Sequence, residues 1–243
     1  MSATGLRDTA GDADRDTDRD TDRDWELIAR DLPYYGVYTD PRFAHVGGAL
    51  PPALEAVYFD TGRVDIEHIV TKGGRHFALP KRFERALDFG SGVGRLTRAM
   101  AQHARTITGI EITQGLLERA RNHAPAADYV RRVDELPDAA RYDWINSLVV
   151  FQHIPTARGM AIFEQLLERA ASDCFLSLHF CTRPVPAPPD APEGTMLMFG
   201  YDPTELLARL SAHGFHEIVV EYLDHGGNAT LRILAVRGDF VRS

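Results

Sequence analysis

The chain has 243 residues, of which 44% are hydrophobic, and only two cysteines. This length supports one sizeable core and favours a single domain with a small cap. The formal net charge of −8 argues against a nucleic-acid partner, because gripping phosphate backbones depends on Lys and Arg. Two cysteines are too few for a disulfide framework or a metal site, so we expect no bound metal.

An acidic, Arg-rich repeat near the N-terminus defines the first of three predicted parts. Residues 12–24 repeat Asp, Arg and Thr with Ala13 as their one apolar residue, so residues 1–24 are predicted to be a disordered tail. The sequence shows neither a signal-peptide pattern nor an apolar run of roughly 20 residues, and both observations favour a cytoplasmic protein without a membrane partner.

Residues 25–81 are predicted to form an N-terminal cap. A Tyr-rich segment, Pro33–Asp40, is followed by a helical pattern of apolar residues that ends at Gly73 and Gly74.

The third part, residues 82–243, begins with short apolar runs that alternate with amphipathic helices. The predicted strands are Arg85–Phe89, Thr106–Ile112, Tyr129–Val133, Trp144–Val150 and Cys174–Phe180. This alternation predicts an α/β fold with a doubly wound, mostly parallel sheet.

The helix starts of this part also have recognisable signals. Thr113 and Thr156 each precede an apolar helical pattern as candidate N-caps, and Asp202 is followed by Pro203 at N1 and Glu205 at N3.

Two β-rich runs end the chain. Glu217–Leu223 and Thr230–Val236 are joined by the short segment Asp224–Asn228. So short a linker predicts an antiparallel hairpin, which completes a seven-stranded Rossmann-like sheet.

A glycine-rich turn follows the first predicted strand. Gly90, Gly92 and Gly94 precede a helix start, which is the context of a nucleotide-binding turn. A dinucleotide fingerprint expects glycine or alanine where Arg95 stands, and Asp88 would repel a pyrophosphate. The turn therefore disfavours a nicotinamide dehydrogenase and favours a ligand with cationic groups.

The run Ala86–Leu96, an acid followed by Gly-x-Gly-x-Gly, resembles the first motif of the class I S-adenosylmethionine (SAM)-dependent methyltransferases. The resemblance extends roughly to residue 238 and implies SAM as the cofactor, with S-adenosylhomocysteine (SAH) as its product. Glu111 closes the second strand about 20 residues on, where an acid can accept both ribose hydroxyls. After the third strand the family places an acid near the adenine amino group, for which we favour Asp134 over Glu135.

The resemblance implies further contacts along the same edge of the sheet. Tyr35 can face the sulfonium through its ring or simply pack the cap onto the sheet, and both interpretations stay open. The predicted cofactor-binding residues are Tyr35, Asp88, Phe89, Gly90, Ser91, Gly92, Gly94, Glu111, Ile112, Asp134, Glu135, Leu136, Ser147, Leu148 and Gln152.

A methyltransferase of the small-molecule type is the implied function. We expect an acceptor that is small and partly hydrophobic, methylated on O or N rather than C, and a monomer or homodimer. A hydroxyl or protonated amine acceptor needs a base near neutral pH, a role suited to histidine. His153, His179 and His225 follow strand ends, where doubly wound folds bind ligands. Each can instead be a packing or surface histidine, and we rank His179 and His153 ahead of His225.

One alternative function stays open and another is disfavoured. A SAM-fold protein that catalyses a non-methylating reaction, or that only binds, is compatible with the same motifs, because fold does not fix function. A DNA amino-methyltransferase is disfavoured by the negative charge and by the missing Asn/Asp-Pro-Pro-Tyr signature after the fourth strand.

Overall fold

The computed structural model describes residues 20–45, 48–184, 188, 190–225 and 228–241. The helices are α1 (Thr21–Asp31), α2 (Pro33–Val37), α3 (Pro52–His76), α4 (Arg95–Met100), α5 (Gln114–His123), α6 (Thr156–Glu168) and α7 (Pro203–Ala212). The strands are β1 (Phe83–Phe89), β2 (Ala104–Ile110), β3 (Asp128–Val130), β4 (Tyr142–Ser147), β5 (Ala170–Arg183), β6 (Glu217–His225) and β7 (Asn228–Arg237). Short 3-10 turns lie at Pro41–Phe43, Val133–Glu135, Phe151–His153 and Gly238–Phe240.

The seven strands form one sheet in the order β3-β2-β1-β4-β5-β7-β6. Strands β1 to β5 are parallel, and β7 runs antiparallel to both β5 and β6. The terminal hairpin pairs Glu217 with Val236 at one end and His225 with Asn228 at the other. The predicted doubly wound, mostly parallel sheet with a C-terminal antiparallel hairpin is confirmed.

Apolar side chains cover both faces of the sheet. One face packs against α6 and α7, through residues such as Phe163 and Leu206. The other packs against α3 and α4, with Ile66 and the fully buried Trp144 at its centre. Both cysteines are free and buried, as the sequence predicts for reduced core thiols.

Three strands end earlier than the sequence predicts. The second, predicted to reach Ile112, ends at Ile110. The third, predicted to reach Val133, ends at Val130, because the Glu135 carboxylate accepts a hydrogen bond from the Arg131 backbone N–H at 2.9 Å and turns the chain. The fourth, predicted to reach Val150, ends at Ser147, and two residues later the backbone has a left-handed conformation.

The sequence located the start of α7 correctly and the start of α6 with an error of one residue. Asp202 caps α7 as predicted, since its side chain accepts from the Thr204 backbone N–H at 2.8 Å. At α6 the N-cap is Pro155, one residue before the predicted Thr156. The Thr156 hydroxyl instead donates to the Gly200 carbonyl at 2.9 Å, which ties α6 to the segment before α7.

The cap begins with a helix that enters the predicted tail. Residues 1–19 lie outside the described residues, but α1 starts at Thr21, four residues inside the segment predicted to be disordered. Asp20 explains the early start, because its side chain accepts from the Asp22 and Arg23 backbone N–H groups at 3.1 and 3.2 Å. A small core that includes Tyr34 and Tyr58 of the cap and Val93 and Leu116 of the main domain joins the two parts.

Candidate cofactor and acceptor cleft

The glycine turn after β1 is shaped for close approach of a ligand. Gly90 and Gly92 have φ angles of 75° and 56°, which side-chain-bearing residues rarely adopt. A Cβ atom on Gly90 would lie 2.3 Å from Cγ2 of Val150, and one on Gly92 would lie 2.6 Å from Cγ2 of Val37. The turn therefore has room only for backbone at these two positions.

Glu111, just after β2, is tied to the glycine turn. One carboxylate oxygen accepts from the Gly92 backbone N–H at 3.0 Å, and the other accepts from the Thr113 backbone N–H and hydroxyl at 2.9 and 2.8 Å. Burial raises the pKa of this carboxyl above its usual value. Because a carboxylate offers about four acceptor positions, roughly one is left for a ligand hydroxyl, fewer than the two that the sequence predicts.

A cleft opens at the carboxyl ends of β1, β2 and β4, with an empty volume of about 1470 Å³ that includes its open mouth. Eight of the predicted cofactor residues line it: Phe89, Gly90, Ser91, Gly92, Glu111, Ile112, Asp134 and Leu148. Asp134 reaches the cleft and its neighbour Glu135 does not, in keeping with the preference drawn from the sequence. The cleft thus gathers the turn, the strand-end acid and the second acid in one place.

The other predicted cofactor residues lie outside the described lining of this cleft. Asp88 is 1% exposed and accepts hydrogen bonds from the Thr97 hydroxyl at 2.6 Å and the Asn146 amide at 3.0 Å. Its carboxylate therefore braces β1 against α4 and β4 instead of meeting a ligand cation, and burial raises its pKa. The rest of this group comprises Tyr35, Gly94, Glu135, Leu136, Ser147 and Gln152.

Of the two candidate histidines whose side chains the structure describes, only His153 lines the cleft. His153 ends the 3-10 turn after β4, and burial lowers its pKa to about 4. His179 is 1% exposed within β5 and is not among the described lining residues. His225 ends β6, and its side chain lies outside the description of the structure. Of the two histidines that the sequence ranks ahead of His225, His153 thus lies at the cleft and His179 within the sheet.

Helix α1 covers one side of the cleft, which the sequence does not indicate. Trp25 lines the cleft and lies edge-on to the His153 ring, with centroids 5.2 Å apart. Asp22 forms an ion pair with Arg158 of α6 at 2.5 Å. Asp24 accepts from the Gly194 backbone N–H at 2.7 Å. The Trp at the end of the charged repeat is the signal that could have revealed this wall.

The backbone is strained just after β4, where the chain lines the cleft. Val149 has a φ of 61°, and among the described residues it is the only non-glycine with a positive φ. A left-handed conformation is unusual for a β-branched residue and tends to persist at functional sites. Val149 is 39% exposed and lines the cleft between Leu148 and Val150.

Comparison with known proteins agrees with this geometry. Residues 86–172, which run from the glycine turn's strand through α6, match the family model of a methyltransferase domain. Over these residues, about a third of the chain, the protein is similar to a methyltransferase domain. The family resemblance drawn from the sequence is thereby confirmed.

Curated relatives resemble this methyltransferase domain over part of their length. The ubiquinone biosynthesis O-methyltransferase of Coxiella burnetii is 31% identical over 101 residues, which are 39% of this chain and 39% of that protein. The corresponding enzyme of Erwinia tasmaniensis is 30% identical over 101 residues, 39% of this chain and 42% of the relative. The match thus spans about two fifths of these relatives.

Solved structures share the fold over most of the chain. Magnesium protoporphyrin IX methyltransferase from Synechocystis PCC 6803 with bound SAH has a TM-score of 0.59 at 17% identity, covering 90% of this chain and 100% of that one. The N-methyltransferase NodS from Bradyrhizobium japonicum WM9 with SAH has a TM-score of 0.59 at 12% identity, with coverages of 90% and 99%. Among the described residues, no helix is long and apolar enough to cross a membrane.

Proposed function

We propose that the cleft binds SAM and that the protein transfers its methyl group to the O–H or N–H group of a small, partly apolar acceptor. The observation that carries the proposal is that one cleft joins the glycine turn and Glu111 to a wall made by His153 and Trp25. One end has the features that a nucleoside ligand needs, and the other offers apolar contact with one titratable group.

The cofactor half is built from the chain's backbone and two acids. Gly90 and Gly92 let the backbone approach the ligand, because a Cβ at either position would fill that space. Glu111 would accept from a ribose hydroxyl, and Asp134, which is exposed and paired with Arg132, from the adenine amino group. When bound, SAM supplies a methyl carbon that its sulfonium activates.

The acceptor half is mainly apolar. Trp25, Val37, Leu148 and Val149 line the cleft around the end of β4. Arg158 lines it too, but its guanidinium is already paired with Asp22. This lining supports a partly apolar acceptor, which the walls would align and shield from water.

Proton removal falls to His153 in this proposal. The methyl group replaces the acceptor's proton, which passes to Nε2 of His153 once the acceptor has displaced the Gln152 amide from that nitrogen, and then to water. With a pKa of about 4, the ring stays neutral at pH 7 and holds the proton only transiently. A base of such low pKa is weak, so it is the position of His153 in the cleft that supports it over His179, which is buried within β5.

Incorporation of a labelled methyl group tests the activity. The protein is incubated with isotope-labelled SAM and a pool of small phenols and amines, and products are read by mass spectrometry. The proposal expects one labelled methyl group on an O or N atom, and His153→Ala to slow turnover at least about a hundredfold with SAH affinity retained. SAH binding without any methylated product would instead favour the non-methylating or binding-module alternative.

The remaining expectations concern context. Small molecules as acceptors, rather than nucleic acid, are supported by the net charge of −8. A cytoplasmic location and a monomeric or homodimeric state stay predictions from the sequence.

A further inference from the structure

The hydrogen bonds of His153 define which ring nitrogen carries the proton. Nδ1 lies 2.8 Å from the Leu197 carbonyl oxygen, which can only accept, so Nδ1–H is the donor. The neutral ring then has a lone pair on Nε2. The Gln152 side-chain nitrogen lies 3.2 Å from Nε2, where a donor is required. The Leu197 carbonyl and the Gln152 amide nitrogen are therefore both compatible with the neutral Nδ1–H tautomer.

The Leu197 carbonyl belongs to a segment that is fastened around the 3-10 turn of His153. We call residues 197–201 the strap. The Phe199 backbone N–H donates to the Gln152 carbonyl at 2.7 Å. The Tyr201 hydroxyl lies 2.9 Å from the Phe151 carbonyl and 2.8 Å from the Ile154 carbonyl. These hydrogen bonds bracket His153 on both sides along the chain.

Helix α6 is adapted to the Tyr201 hydroxyl. A Cβ atom on Gly159 would lie 1.9 Å from that oxygen, so no other residue fits there without displacing Tyr201. Glycine inside a helix costs roughly 0.5–1 kcal/mol relative to alanine. Tyr201 itself is 2% exposed, and its hydroxyl would be costly to bury without the two carbonyls. Gly159 thus leaves space for the Tyr201 hydroxyl, which stabilises the 3-10 turn that contains His153.

From this geometry we infer that Tyr201 is a positioning residue that holds His153 as the Nδ1–H tautomer, and that the acceptor presents an O–H or N–H donor rather than a carboxylate. The inference rests on the proposed function and names its substrate class. Nε2 can only accept in this tautomer, and it faces the Gln152 amide nitrogen. An O–H or N–H group of the acceptor can replace that donor, whereas a carboxylate would place a second acceptor against Nε2. Among the arginines that line the cleft, Arg158 is paired with Asp22, Arg95 with Asp65 and Arg132 with Asp134. The Arg131 guanidinium donates to the Ile112 carbonyl.

Nitrogen-15 NMR of histidine-labelled protein in complex with SAH tests the tautomer. The inference expects a single neutral Nδ1–H form of His153 at pH 7. In Tyr201→Phe, which keeps the ring packing, both tautomers should become populated while SAH affinity stays within about twofold. An Nε2–H or doubly protonated ring in the unmodified protein, or an unchanged tautomer in Tyr201→Phe, would overturn the assignment.

Tyr129 provides a matched control. Its hydroxyl also lies close to two backbone carbonyls, those of Ala120 and Ala124, at 3.2 and 3.3 Å. Tyr129→Phe therefore removes a similar pair of contacts away from His153. The inference expects this variant to leave the His153 tautomer unchanged, and a change as large as that of Tyr201→Phe would show a merely structural effect.

Three one-ring probes test the acceptor class. Phenol, aniline and benzoate are titrated into the SAH complex, and the Nε2 resonance of His153 is followed. Phenol and aniline should shift it, because each brings a donor, and benzoate should not. A shift from benzoate as large as that from phenol would contradict the inference. Calorimetry with SAH alone reports separately on the proposed function, so the two failures are distinguishable.

Discussion

Val149 has the strained backbone of the site. Its φ of 61° is unfavourable for a β-branched side chain and costs about 1–3 kcal/mol. The position faces the cleft, so the cost falls where the acceptor is expected to bind. The strain at Val149 is therefore expected to lower the stability of the protein while serving the function of the cleft.

Replacing this valine with glycine should stabilise the protein. Val149→Gly removes the left-handed penalty, and after the entropy cost of glycine the net gain is about 1 kcal/mol in free energy of unfolding. Thermal unfolding measures it. Val64→Gly, at an exposed position within α3, is the control and should destabilise. Equal losses in both variants would show that Val149 is not strained.

The pKa of His153 predicts a pH dependence of stability. Burial lowers it from 6.5 to about 4, so between these values the unfolded chain binds a proton that the folded chain does not. The free energy of unfolding should therefore fall as the pH drops from about 6.5 through 4, by about 3 kcal/mol from this residue. Urea unfolding at several pH values, compared with His153→Gln, isolates the effect, and parallel pH profiles would contradict it.

Glu111 has two roles that its variants should separate. Glu111→Ala removes the ligand contact and also leaves the Gly92 and Thr113 N–H groups without their acceptor, so SAH affinity should fall at least about tenfold and stability by about 1–3 kcal/mol. Glu111→Gln keeps an acceptor oxygen and should lose less of both. SAH affinity retained to within tenfold in Glu111→Ala would make this residue a structural acid only.

At the scale of elements, α1 is expected to control access to the cleft. Removing residues 1–19 should leave the melting temperature and SAH affinity unchanged, because the charged repeat offers no apolar surface to bury. Removing residues 1–31 also deletes the ion pair of Asp22 and the Trp25 contact, and should speed SAH release severalfold. Stopped-flow displacement measures the rates, and equal rates for both truncations would refute a lid role.

Elements with local signals could be predicted from the sequence. The cap of α7 by Asp202 and the terminal hairpin depend on neighbouring residues, and both are confirmed. The placement of Asp88 could not be predicted, because its partner Asn146 comes from another strand. The early start of α1 was hidden because its cap, Asp20, lies within a charged repeat. Features that depend on contacts between distant residues, or that lie in a segment of ambiguous composition, therefore could not be predicted from the sequence.

At the scale of the whole molecule, cofactor and acceptor recognition come from different stretches of the chain. The region that matches the methyltransferase family, residues 86–172, includes the glycine turn, Glu111 and His153. Trp25 and the strap lie outside it. The parallel strands bring these distant parts to one edge of the sheet. The acceptor is therefore expected to depend on parts of the chain beyond the family match.

The most direct measurement is calorimetric titration of the protein with SAH, comparing Gly92→Val with Gly74→Val. A Cβ on Gly92 in the glycine turn would clash with Val37 of α2, whereas one on Gly74 of α3 would have nothing within 4 Å. We predict that the unmodified protein and Gly74→Val bind SAH with the same affinity and that Gly92→Val shows no binding. SAH binding retained in folded Gly92→Val would contradict the placement of the cofactor on the glycine turn.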